Sequence, residues 1–182
     1  MNKAFKKFIN NFGIEYFGRF YGVYTAIVFQ DLDPEDMGRI LIQIPEVYPD
    51  NRLVWARPLN MPGGKGYGAQ VLPAVSDWVN VQFLNGDPKF PVWSHGGYAK
   101  GEKPEEFKSN QTTGYKSLGG FLIHIDDETK TLTVKSPAGN EIKVNDEDVK
   151  INIPDKPSLT VNKHGVKYGD DFLTNSKELI NK

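Results

Sequence analysis

The chain has 182 residues, a net charge of −1 and no cysteine, a length that holds one full domain plus a smaller module. The charge balance sets up no global field for nucleic acid or anionic lipid, and the lack of cysteine excludes disulfide frameworks, thiolate metal sites and cysteine nucleophiles. No stretch approaches the roughly 20 apolar residues of a membrane-spanning helix, and Lys3, Lys6 and Lys7 interrupt the N-terminal apolar positions without a cleavage site behind them, so a soluble, cytosolically made protein is expected.

Phe5, Phe8, Ile9 and Phe12 recur at i, i+3, i+4 and i+7, which predicts a short amphipathic helix ending near Asn11 to Gly13. Its phenylalanine stripe is expected to bury against a barrel or another subunit in preference to a membrane surface. From Gly18 the period becomes two, and Tyr21, Val23, Thr25, Ile27 and Phe29 alternate along a first strand. Further strands are predicted at Arg39 to Ile44, Leu53 to Pro58, Gly68 to Leu72 and Asp77 to Phe83, with a short edge at Pro91 to Ser94. Short strands separated by Pro, Gly, Asp and Asn turns favour a small barrel over a parallel sheet with helices. Two of the turns are explicit: Asp33 and Pro34 lead to Gly38, and Gly86, Asp87 and Pro88 follow one another.

Tyr98 to Gly120 lacks a period and is expected to be a connector. Alternation returns with Ile123 and Ile125, Leu132 and Val134, Ile142 and Val144, then Val149, Ile151 and Ile153. Each piece is a narrow strand with one apolar face, too small to close a sandwich alone, so a core shared between chains is expected.

Chemistry is sought mostly without result. The acidic run before Gly38 lacks the glycine and the final glutamate of a calcium loop. Gly63 to Gly68 is no phosphate loop, since Ala69 to Leu72 should continue as a strand and no Gly-Lys-Ser/Thr completes it. His95, His124 and His164 stand far apart, although His124 and Asp126 share one face of a strand. Glu46, Asp77 and Asp87 read as turn or edge residues. No catalytic residue, cofactor or metal is expected, and Trp55, Trp78 and Trp93 are assigned to core or intersubunit packing.

Five fragments stand out in order: Gly22-Val23, DLDPEDMGR from Asp31 to Arg39, Trp55-Ala56-Arg57, Gly63 to Gly68, and VQFLNGDPKFPVW from Val81 to Trp93. Together they resemble the OB-like barrel of phage baseplate spike proteins and of the VgrG spike in type VI secretion. The resemblance implies an all-β fold: an N-terminal OB-like five-stranded barrel, then a C-terminal intertwined trimeric β-prism or β-helix, with the short helix in front. The corresponding segments are a helix at 1–17, the OB-fold domain at 18–97, a connector at 98–119, the spike at 120–170 and a tail at 171–182. It also implies a structural role, as the central spike of a contractile tail in the virion baseplate. The implied partners are two further copies of the chain, a hub protein, a tip protein and, transiently, the host envelope; nucleic acid is not among them. Arg39, Arg57 and Trp55 would belong to the barrel wall. Ile123, Ile125, Val134, Ile142, Val144 and Ile151 would line the shared core. Relatives that carry a lysozyme domain need a long helical insertion, for which this chain has no room, and the His-x-His pair of metal-tipped relatives is missing. The rival function is an OB module binding single-stranded nucleic acid or oligosaccharide on Tyr21, Tyr24, Tyr67 and Phe83.

Overall fold

The computed structural model describes residues 2–13 and 15–174; of the expected C-terminal tail, 175–182 lie outside the described residues. Two compact units result, Met1–Tyr98 and Ala99–Lys182.

The first unit opens with helix α1 (Lys3–Phe12), and both ends of the helix are capped. Asn2 accepts the Ala4 N–H at 3.0 Å, and Gly13, at φ 73°, donates its N–H to Ile9 at 2.8 Å. A 3-10 turn at Glu15–Phe17 then folds Tyr16 and Phe17 back onto Phe5 and Phe8. The helix therefore finds apolar partners next to itself in sequence, and none of the α1 side chains among the described residues belongs to the barrel core.

Five strands close the barrel in the order β1 (Tyr24–Gln30), β2 (Ile40–Gln43), β3 (Leu53–Pro58), β7 (Pro91–His95), β6 (Trp78–Phe83). All pairs are antiparallel except β3 with β7, which run parallel through Arg57↔Val92 and Pro58↔Trp93. Alternation fills the inside: Ala26 and Val28, Ile40 and Ile42, Val79 and Val81 all point inward, and Trp93 completes the core. The β1–β2 register slips between Val28 and Gln30, a bulge of the kind that helps a strand curve around a small barrel.

The strand expected at Gly68 to Leu72 does not form. The glycine segment makes only a two-residue hairpin, β4 (Gly63–Gly64) with β5 (Tyr67–Gly68). Ala69 donates to Pro62 at 3.0 Å, while β7 already occupies the free edge of β3, so Ala69 to Leu72 have no strand to pair with.

The second unit is one antiparallel sheet of eight strands in sequence order: β8 (Thr112–Lys116), β9 (Leu122–Asp126), β10 (Thr131–Lys135), β11 (Glu141–Val144), β12 (Asp148–Asn152), β13 (Leu159–Asn162), β14 (Gly165–Tyr168) and β15 (Asp171–Thr174). Each strand bonds to its neighbours in sequence within the chain. The stretch 98–119, which reads as a connector, holds a 3-10 turn (Glu105–Phe107) and strand β8. Phe107 is the physical reason, since it is buried against the His124 ring and anchors the segment to the sheet.

Candidate functional site

The acidic turn between β1 and β2 is organised by one carboxylate. Asp33 accepts the N–H groups of Glu35 at 3.0 Å, Met37 at 2.9 Å and Arg39 at 3.1 Å, and a forked ion pair from the Arg39 guanidinium at 2.7 Å. The hydrogen bonds from Arg39 hold the Asp33 carboxyl well below the usual carboxylate range, helped by the backbone donors. Arg39 also bridges Glu35 at 3.2 Å and lies over the Trp55 ring at 5.2 Å. Asp33 is thus a structural ligand for backbone. Gly38 follows at φ 70°, while Pro34 sits inside the turn.

The Gly-Asp-Pro turn is clamped in a similar way. Gly86 adopts φ 69° and accepts the Phe20 N–H at 2.9 Å, Asp87 accepts the Lys89 N–H at 3.0 Å and pairs with Arg19 at 3.3 Å. The Tyr48 hydroxyl donates to the Pro88 carbonyl, and Arg52 covers the Tyr48 ring at 4.2 Å. Sequence reasoning missed Tyr48; its partner is 40 positions away, so no local spacing could reveal it.

The three tryptophans part company. Trp93 is fully buried, Trp55 is half-buried on the outer wall beneath Arg39, and Trp78 is 59% exposed. Arg57 points outward from β3. The aromatic set proposed for stacking bases or sugars is not assembled: Phe83 is part of the barrel core and Tyr24 packs with Phe20 against it, while Tyr21 and Tyr67 stand apart and exposed. A cleft of about 560 Å³ is lined by Pro58, Met61, Pro62, Val71 and Trp93 together with the polar Asn60, Ser94 and His95.

In the second unit, register turns the alternation into rows. Tyr115, Ile123, Val134, Ile142, Ile151, Leu159 and Tyr168 lie opposite one another in succession, and Thr113, Ile125, Leu132, Val144, Val149, Val161 and Val166 form a second row on the same face. The structure therefore brings together all six predicted core residues of this segment: Ile123, Ile125, Val134, Ile142, Val144 and Ile151. Their side-chain face is open, with exposures between 36% and 49%. The reverse face carries His124, Thr133, Lys143, Lys150, Thr160 and Lys167.

His124 is held on that reverse face. Its Nε2 lies 2.8 Å from the Glu106 carbonyl oxygen, and Glu106 in turn pairs with Lys116 at 2.7 Å, which lowers the Glu106 carboxyl. Asp126 caps the Asp126–Thr129 turn through the Glu128 N–H at 3.0 Å. No group of three His, Asp or Glu side chains placed to hold a metal ion occurs among the described residues. The Glu106, Phe107, Lys116 and His124 cluster escaped sequence reasoning; the Thr113/Tyr115 alternation of β8 was the available signal.

Comparison with known families bears on the barrel. The type VI secretion system/phage-baseplate injector OB domain matches residues 24–98, the span from the first residue of β1 to the end of the first unit. None of the curated proteins is significantly similar to the chain.

Proposed function

Since residues 24–98 belong to the injector OB domain family of type VI secretion systems and phage baseplates, we propose that the chain is a central spike whose second unit assembles as a homotrimer. The barrel is a baseplate-injector domain with a structural role among baseplate components. The observation that carries the finer proposal is the open apolar face of the β8–β15 sheet. One row of aliphatic and aromatic side chains crosses seven strands, about 29 Å at the usual spacing of roughly 4.8 Å between strands, and the second is aliphatic across six of them. A soluble monomer rarely leaves so regular an apolar surface in water.

Three such sheets, each turning its rows toward one axis, form a triangular prism with a dry interior and a polar outside. Val134, Ile142 and Ile151 then meet their symmetry mates, while Lys143, Lys150 and Lys167 face solvent. The result is stiff, because bending it would break backbone hydrogen bonds and interior packing together. In this assignment the barrel attaches to a hub protein in the virion baseplate, the prism meets the host envelope, and a separate tip protein is a further candidate partner. The work is mechanical, with no catalytic step, cofactor or metal.

The test is the mass of the purified chain by light scattering across a dilution series into the low micromolar range. Three times the chain mass is expected throughout. A stable monomer, or a dimer in which two sheets close a sandwich, would overturn the trimeric spike.

A further inference from the structure

The N-terminal segment carries a second apolar face, unlike the first in its electrostatics. Phe5, Phe8, Tyr16 and Phe17 form one aromatic cluster, with ring centroids 5.1 Å apart for Phe8 and Tyr16 and 5.7 Å for Phe8 and Phe17. The cluster lies outside the barrel core and faces water: Phe5 is 48%, Phe17 53% and Tyr16 66% exposed. At about 100° per residue, Phe5, Phe8 and Ile9 occupy one arc of α1. Lys3, Lys6 and Lys7 take the opposite half, and no acidic residue occurs in α1. A helix bearing three lysines in a chain of net charge −1 is a local concentration of positive charge.

A protein groove needs only the apolar arc. An anionic bilayer selects both halves at once, because a helix lying in the interface plane sinks its phenylalanines to the acyl boundary while its lysines extend to the headgroups. Tyr16 beside that arc suits the same depth, where aromatic rings with a polar edge concentrate. We propose that α1 and the Glu15–Phe17 turn form a docking face for an anionic lipid surface. The caps at Asn2 and Gly13 hold the face in helical form, and a helix of 10 residues gains further order from the surface it lies on. The proposal does not rest on the trimer, so its failure and that of the spike assignment are separately visible.

The experiment is co-sedimentation of the full chain with vesicles of phosphatidylcholine alone or mixed with phosphatidylglycerol, at low and high salt. Partitioning into anionic vesicles is expected to be on the order of a hundredfold stronger at low salt, and to weaken as salt rises. Phe8→Glu should lower anionic binding at least about tenfold, and replacing Lys3, Lys6 and Lys7 by Gln should reduce it to the level of neutral vesicles. Phe5→Glu, at a more exposed position, repeats the first arm should Phe8→Glu disturb the fold, which circular dichroism reports. Equal binding to both vesicle types, or no binding, overturns the proposal. So does binding that survives both Glu substitutions, which would mark adsorption by charge alone, and so does a face that ignores vesicles but is needed to hold a baseplate protein.

Discussion

Placing charge in the open rows of the second unit tests the shared core directly. Val134 and Ile142 are opposite each other in the β10–β11 register and retain 41% and 43% of their surface in the lone chain. That leaves roughly 60 Å² of apolar area on each, about 1.5 kcal/mol per residue once covered. The double substitution Val134→Asp, Ile142→Asp, repeated in three chains, removes on the order of 9 kcal/mol of burial. It also forces carboxylates into a dry interior, where each costs several kcal/mol more. In a lone chain the same changes cost little, because both side chains then reach water. The assay is light scattering at micromolar concentration together with the β signal in circular dichroism. Loss of the trimer is the expected result, while an intact trimer with an unchanged thermal midpoint would refute the axial placement of these rows.

Other substitutions test the turns and the packing beneath them. Gly38→Ala should cost about 1–2 kcal/mol through positive φ alone, since an added Cβ meets nothing nearer than Met61 and Pro58 at 3.9 Å; Gly86→Ala should add only a small excess, because its Cβ falls 2.7 Å from the tip of the Tyr21 ring, an exposed side chain that can swing aside. Denaturant midpoints compare the two, and the excess at Gly86 should vanish in a Tyr21→Ala background. Gly114→Ala drives a Cβ to 2.1 Å from the Ile123 carbonyl oxygen and to 2.9 Å from Phe107, so β8 should detach from β9 and its amides lose protection from hydrogen exchange. Asp33→Asn should lower barrel stability at neutral pH. The Asp33 carboxyl is depressed in the folded state, so its contribution is complete above the unfolded value of about 4 and fades as pH falls through the folded one. The gap between Asp33→Asn and the native chain should therefore narrow in acid, and a gap that holds constant down to low pH would remove the ion pair as its cause.

Alternation made the barrel strands and the meander legible, because period two survives whatever the strands pair with. Parity was harder to read. Trp55, Trp78 and Trp93 look alike in sequence, but on β3 and β6 it is the neighbours Ala56 and Val79 that face inward, and only on β7 does the tryptophan itself, Trp93, do so. The missing strand at Ala69 to Leu72 has a different origin, in an edge already taken. Within 98–119 a single phenylalanine does the anchoring, and Phe107, flanked by Glu105, Glu106 and Lys108, belongs to no alternation that could be detected. The slot that receives it exists because residue 114 has no side chain, which becomes visible only once β8 lies beside β9.

The one-to-one register of the meander makes the second unit a ruler. Length across the strands is set by their number, each adding about 4.8 Å, and hardly at all by what any one strand contains. Removing the β10–β11 hairpin would shorten the sheet by roughly 10 Å while bringing Ile123 and Ile125 opposite Ile151 and Val149, apolar against apolar as before. Gene duplication or loss of a hairpin can therefore change the reach of such a sheet in fixed steps without redesigning its interior.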